Sequence, residues 1–280
     1  MKRKIVSLLT VFTMAVSLTA CGGEQEEIKD NKQPSTQTTP TPEASMTTDS
    51  SSEWTFGQVA MGGGGFVTGV FSTCEENVFY ARTDVGGAYR YDNADGKWKC
   101  LSYEISEADK GYYGVDGLAI DPNDAGKVYM LVGTSYLSDG RTAIMCSEDY
   151  GETFTTIEVT DLITAHGNGY GRQNGERIAV DPNNGNIIFA GGRTGGLIKS
   201  TDGGKTWSTV SSFPITETEN GNGINGIVFD ASSGSKGTPT PNIYVSISQK
   251  GAENVYVSKD GGESWNTVSG LPTNYMPQRL

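Results

Sequence analysis

From about residue 53 onward, apolar side chains come in short runs. Val128-Tyr-Met-Leu-Val132, Ile187-Ile-Phe-Ala190 and Ile243-Tyr-Val-Ser-Ile247 are rich in β-branched and aromatic residues and bounded by Gly, Pro, Asn or Asp. They are too short for core helices and read as strands. Between them two turn patterns recur out of phase. One is Ser-x-Asp-x-Gly-x-Thr/Ser-aromatic: Ser147 to Phe154, Ser200 to Trp207 and Ser258 to Trp265, its Asp residues 53 and 58 positions apart, with a degenerate copy at Tyr91 to Trp98. The other is an apolar stretch ending in Asp: Gly117-Leu-Ala-Ile-Asp121-Pro-Asn, Arg177-Ile-Ala-Val-Asp181-Pro-Asn and Gly226-Ile-Val-Phe-Asp230-Ala-Ser. Each unit thus predicts strand, Asp-Pro-Asn turn, strand, hairpin, strand, octapeptide turn, strand. Four short antiparallel strands per unit, repeated every 50 to 60 residues, predict an all-β fold of β-propeller blades.

The N-terminus departs from this pattern. Lys2, Arg3 and Lys4 precede an apolar stretch, Ile5 to Leu18, too short to span a bilayer comfortably. It ends in Leu18-Thr19-Ala20-Cys21, which resembles a bacterial lipobox. Residues 1–21 are therefore expected to be a lipoprotein signal peptide, with Cys21 as the lipid attachment that tethers the protein to a bacterial cell surface from outside. Residues 22–52 carry almost no large apolar side chains and are rich in Ser, Thr and Pro. Such a segment cannot bury enough surface to offset its ordering entropy and is expected to be a disordered tether. Residues 53–280 form the folded part.

Composition sharpens the picture. The 280 residues include 38 glycines, as many tight turns require, and the net charge of -12 excludes a nucleic-acid binder, which needs a basic face. Three cysteines lie in the folded part, Cys74, Cys100 and Cys146. They are expected to be mostly buried thiols; nothing in their spacing supports a Cys74–Cys100 bridge or a metal cluster. The Asp-Pro-Asn turns offer carboxylates too sparse for calcium, and the glycines at 62–65 lack the Gly-Lys-Ser/Thr of a phosphate cradle.

The octapeptide resembles the Asp-box of sialidases, sortilin-type receptor domains and several glycanases. Its Asp and Ser serve turn backbone groups, its Gly permits a positive φ, and its aromatic drops between strands, so these Asp residues read as turn staples. A different Asp, Asp84, stands just before a Gly-Gly hairpin in the first unit. On spacing alone it reads as a turn cap. However, Gly62-Gly-Gly-Gly65-Phe66, Tyr80-Ala-Arg82-Thr-Asp84-Val-Gly-Gly-Ala-Tyr-Arg90, Gly114-Val-Asp116-Gly and Gly171-Arg172-Gln-Asn-Gly-Glu176-Arg occur in that order. This series resembles the N-terminal propeller of glycoside hydrolase family 74, the xyloglucan-cleaving endo-β-1,4-glucanases and their reducing-end-specific relatives.

The resemblance implies two seven-bladed propellers facing across a cleft, each giving one Asp to hydrolysis with inversion. Asp84 would be the general base; the general acid would come from the second propeller, outside this chain. The 228 residues from Glu53 accommodate about four blades, so a fragment is expected, inactive by itself. Arg82, Tyr112, Tyr113, Asp116, Tyr170 and Arg172 are candidate substrate contacts, the tyrosines by stacking on sugar rings. The same tyrosines could be ordinary loop residues, and Arg82 could orient Asp84 or pack on its blade. His166, alone in a glycine-rich loop, reads as solvent-facing. No metal or organic cofactor is implied, since two carboxyl groups suffice. The implied partners are a polysaccharide, xyloglucan or a related β-glucan, and the membrane through Cys21; a monomer is expected. A non-catalytic Asp-box propeller and a sialidase are the alternatives. The latter's Arg-Ile-Pro signature is absent.

Overall fold

The computed structural model describes residues 60–92 and 96–280. The expected signal peptide, Cys21 and the tether lie outside the described residues, as does part of the degenerate octapeptide. Among the described residues, sixteen strands form four antiparallel sheets of four, each a meander in chain order. Blade 1 holds β1 (Val67–Ser72), β2 (Phe79–Thr83), β3 (Ala88–Asp92) and β4 (Lys97–Cys100); blade 2 holds β5 (Val115–Asp121), β6 (Asp124–Gly133), β7 (Thr142–Ser147) and β8 (Thr155–Glu158). Blade 3 holds β9 (Ile178–Val180), β10 (Ile188–Gly191), β11 (Leu197–Ser200) and β12 (Ser208–Thr209); blade 4 holds β13 (Ile224–Phe229), β14 (Ile243–Ile247), β15 (Val255–Ser258) and β16 (Asn266–Thr267). The propeller architecture predicted from the repeats is the one observed.

The apolar runs become the second strands of blades 2, 3 and 4 and bury both faces. Ala81 pairs with Tyr89, Leu131 with Ile144, Ala190 with Ile198 and Val245 with Tyr256. The cores lie between blades. Tyr80 and Leu101 of blade 1 meet Leu118, Val128 and Met130 of blade 2. Leu131 and Ile144 meet Ile178 and Ile188 of blade 3, whose Phe189 and Leu197 meet Ile224, Ile243 and Val245 of blade 4. A strand with an apolar neighbour on either face has no reason to alternate, which is why these runs are continuous.

The octapeptides staple the third strand of a blade to its fourth. In the first, Asp149 Oδ1 accepts from the Thr153 N–H at 2.9 Å, Asp149 Oδ2 from the Thr153 hydroxyl at 2.6 Å, and Ser147 Oγ from the Gly151 N–H at 2.8 Å. Asp202 and Asp260 repeat the pattern with Thr206 and Ser264. Gly151, Gly204 and Gly262 sit at φ of 80°, 89° and 95°, where a side chain would be strained. The Asp-Pro-Asn turns reach sideways: Asn123 Nδ2 donates to Pro182 O of blade 3, and Asn183 Nδ2 to Ala231 O of blade 4. In a four-stranded meander, turns one-to-two and three-to-four share an end. The octapeptides and Asp-Pro-Asn turns therefore lie on one face. The two-to-three hairpins and the connections between blades lie on the other, tied together by Gly87 N to Tyr113 O, Gly167 N to Gly133 O and Ser248 N to Gly223 O.

The three cysteines among the described residues are free thiols; Cys100 and Cys146 are half-buried, but Cys74 is exposed, against the expectation of mostly buried thiols. Burial pushes the Cys146 thiol up to about 12. The first strands of blades 1, 2 and 4 share a bulge, after Val67, Val115 and Ile224. A bulge re-aims the extra residue, and here the three extra residues are the buried polar Thr68, Asp116 and Asn225.

Candidate active site

Asp84 sits in the hairpin 83–87 that joins β2 to β3, on the face opposite the octapeptides. The hairpin closes through Thr83 N to Gly87 O at 2.9 Å, and the Thr83 hydroxyl accepts from Gly86 N–H at 2.8 Å. Gly87 has φ 80°. A Cβ on Gly86 would lie 2.0 Å from the Gly64 carbonyl, so Gly86 is needed for the 62–65 segment to lie against the turn, while a Cβ on Gly87 would meet Ser102 Oγ at 2.3 Å. That segment delivers Phe66. Its N–H donates to Asp84 Oδ1 at 2.7 Å, and its carbonyl accepts from Asp84 N at 3.1 Å. The other carboxylate oxygen, Oδ2, lies 3.0 Å from Arg172 Nε. The contact is an ion pair rather than an aligned hydrogen bond, since the Arg172 Nε–H finds no acceptor in good geometry. The Arg172 guanidinium stands over the Phe66 ring at 5.8 Å, and its side chain keeps 34% of its surface exposed above the nearly buried carboxylate.

Arg82 does not orient Asp84. Its guanidinium is fully buried and faces Glu176, with Nη2 at 2.9 Å from Oε1 and Nε at 3.1 Å from both oxygens. Nη1 also donates to Thr68 Oγ1 and to the Arg172 carbonyl at 3.0 Å. Arg82 is thus an anchor for the connection 172–176, because the counter-charge in reach lies there. Burial raises the Glu176 pKa, with Arg82 pulling the other way.

Asp116 is likewise removed from any direct substrate contact. The bulge of β5 aims it inward, where Arg193 holds both oxygens at 2.8 and 2.9 Å, Arg177 Nε lies at 3.3 Å and the His166 N–H donates at 2.9 Å. Burial alone would push its pKa up, yet Arg177 and Arg193 outweigh it and hold the carboxyl well below the usual range. Burial brings Arg177 down to about 10 against the pull of Asp116. These contacts cross blades 2, 3 and 4, since Arg177 also donates to the Asn222 carbonyl at 2.7 Å.

The repeats at 198–209 and 256–267 match the BNR/Asp-box repeat family. Over 248 residues the chain is 43% identical to a xyloglucanase of a Paenibacillus species, covering 83% of this chain and 24% of that protein. It is 39% identical over 221 residues to an oligoxyloglucan-reducing end-specific xyloglucanase of Emericella nidulans, covering 79% and 26%. Among solved structures, a glycoside hydrolase family 74 enzyme of Niastella koreensis superposes with a TM-score of 0.74 at 50% identity, covering 81% of this chain and 33% of that one. The family 74 xyloglucanase of Xanthomonas campestris gives 0.73 at 41% identity, covering 79% and 32%. Over its described blades, the chain belongs to glycoside hydrolase family 74. It spans about a quarter of the length of the curated relatives it matches.

Of the remaining residues expected from the family 74 resemblance, Tyr112 is 4% exposed, its ring packed between blades 1 and 2 under Arg141, and it offers no face to a sugar. Tyr113 is half-buried beside the Asp84 hairpin, its carbonyl accepting from Gly87 N. Tyr170 is 88% exposed, with its carbonyl pinned by Arg193 Nη1 at 2.8 Å. His166 is half-buried rather than solvent-facing. It packs edge-on against Tyr136, and burial together with Arg193 lowers its pKa. Sequence reading missed the role of Phe66, which touches Asp84 through its backbone and Arg172 through its ring, and those of Glu176 and Arg193. For Arg193 a signal was present, since it stands alone among glycines in an uncharged stretch, Gly191-Gly-Arg193-Thr-Gly-Gly196.

Proposed function

We infer that this chain supplies the base-bearing propeller of an extracellular glycoside hydrolase that cleaves the β-1,4-glucan backbone of xyloglucan with inversion. The observation that carries the reading is Asp84. Its carboxylate is fixed through Oδ1 by the Phe66 N–H, while Oδ2 turns toward Arg172 and the open face. The relatives at about 40% identity bear the name xyloglucanase. In this role Oδ2 takes the proton of a water that attacks the anomeric carbon. A second carboxyl group, about 6.5–9.5 Å away, gives its proton to the departing glycosidic oxygen. That acid is assigned to the second propeller of the complete protein. Tyr170, and with it the exposed edge of Tyr113, is assigned to sugar stacking. Cys21 and the tether of residues 22–52 would hold the monomeric enzyme at the cell surface.

The test is hydrolysis of xyloglucan by the complete protein that carries these blades, with fresh product followed by NMR. The expected first product is the α-anomer, and Asp84→Asn is expected to remove turnover with folding intact. Cleavage that persists in Asp84→Asn would overturn the base assignment. Saturable glycan binding without any cleavage would replace the hydrolase by a binding propeller.

A further inference from the structure

We propose that Arg172 is a positioning residue for Asp84, acting on the base rather than on the sugar; this rests on the hydrolase reading above. Four contacts support it. Phe66 holds one oxygen of Asp84 by its N–H at 2.7 Å and supports the Arg172 guanidinium with its ring at 5.8 Å. Arg172 Nε in turn stands 3.0 Å from the other oxygen, so the three residues close a ring of contacts around the carboxylate. The Arg172 main chain is fixed from the core, because buried Arg82 donates to its carbonyl at 3.0 Å. Arg82 is two residues before Asp84, so one short stretch carries both the base and the anchor of the base's counter-ion.

The form of the ion pair matters. A base whose two oxygens were both saturated by aligned donors would have no lone pair to offer a water. Here Oδ1 accepts one aligned bond, from the Phe66 N–H, and Oδ2 is approached by charge without a well-directed Nε–H, so its lone pairs stay available to a water. The carboxylate is held in one rotamer while Oδ2 keeps acceptor capacity. Misplacing a catalytic group by an ångström costs up to about 10²-fold in rate, and that is the scale of effect assigned to Arg172.

The experiment compares Arg172→Met and Arg172→Lys with the parent in the complete protein. Arg172→Met is expected to lower kcat about 10–100-fold with KM nearly unchanged, and Arg172→Lys, which keeps the charge, to recover part of the loss. In an Asp84→Asn background, calorimetric affinity for a xyloglucan oligosaccharide should be the same with Arg172 or Met at this position. A tenfold rise in KM, or a matching loss of affinity in the Asp84→Asn background, would show that Arg172 binds sugar and would overturn the proposal. An unchanged kcat would also overturn it. If Arg172→Met fails to fold, Arg172→Lys and Phe66→Leu carry the same kcat-against-KM comparison. Retained turnover in Asp84→Asn alone would instead remove the base assignment on which the proposal rests, and binding without cleavage by the parent would remove the hydrolase reading, so these failures are told apart.

Discussion

Blades 1 and 3 carry the same hairpin with opposite charge at its tip. In blade 1 the loop 83–87 closes by Thr83 N to Gly87 O at 2.9 Å; in blade 3 the loop 192–196 closes by Gly192 N to Gly196 O at 2.8 Å. The second residue of each donates its N–H to the segment leading into its blade, Asp84 to Phe66 O and Arg193 to Thr164 O. Asp84 therefore occupies the place that Arg193 fills two blades on. What separates them is the partner. Arg193 is neutralised by Asp116, whose side chain is fully buried, so that pair serves the joint between blades 2 and 3. Asp84 is paired with an arginine that keeps a third of its surface in solvent. One backbone device thus yields an internal staple at Arg193 and, at Asp84, the carboxylate proposed as the base, depending on whether its counter-ion is locked in the core.

The sharpest way to break this comparison is to neutralise each carboxylate in turn. Asp84→Asn should lower kcat by about 10²–10⁴-fold, the usual share of general base catalysis, measured as initial rates on xyloglucan, with the unfolding midpoint little moved. Asp116→Asn should do the reverse. It leaves Arg177 and Arg193 buried without a counter-charge, and breaking a buried pair costs about 3–5 kcal/mol, readable by urea unfolding. If Asp116→Asn instead left stability intact and raised KM, the division between staple and site would be wrong.

How much of this was legible in the sequence follows from the range of the interactions. The octapeptides are local: Ser, Asp and Thr serve one another within four residues, so spacing alone carried the blade count and the strand order. Asp84 was singled out by its surrounding motif, not its chemistry, since a hairpin Asp before two glycines reads equally as a cap; its role as base stays a proposal. Arg82 and Asp116 were misread for a common reason. Their partners, Glu176 and Arg193, lie 94 and 77 positions away, and a strand pattern does not say which distant charge a bulge or a connection will bring alongside. Tyr112 and Tyr113 are neighbours in sequence with different exposures, because the short helix 107–113 turns one ring inward.

Among the tyrosines, Tyr170 provides a smaller test of the same face. With its carbonyl pinned and its ring in solvent, Tyr170→Ala should leave the fold untouched and remove only a stacking surface, worth about 0.5–1.5 kcal/mol. A rise in KM of severalfold with kcat retained is expected from steady-state kinetics on oligosaccharides. An unchanged KM would take Tyr170 out of the cleft and leave the half-buried Tyr113 as the stacking candidate.

The smallest effect on activity is expected on the opposite face, and it separates the two Asp types by pH. Asp202 is a half-buried carboxylate whose pKa is drawn from its ordinary 3.8 to about 2, first by the Thr206 hydroxyl and then by the Thr206 N–H and Ser200. Asp149 and Asp260 behave alike. A folded-state pKa below the unfolded one means the contribution to stability is complete above the unfolded value, near 3.8, and drains away as pH falls toward 2. Asp202→Asn should therefore leave turnover unchanged while lowering the unfolding temperature at neutral pH, and its difference from the parent should shrink between pH 4 and 2. A difference constant across that window would mean that the hydrogen bonds of the turn stabilise it regardless of charge. A loss of turnover would mean that the octapeptide face is coupled to the Asp84 hairpin across the blade, contrary to the separation of faces that the meander imposes.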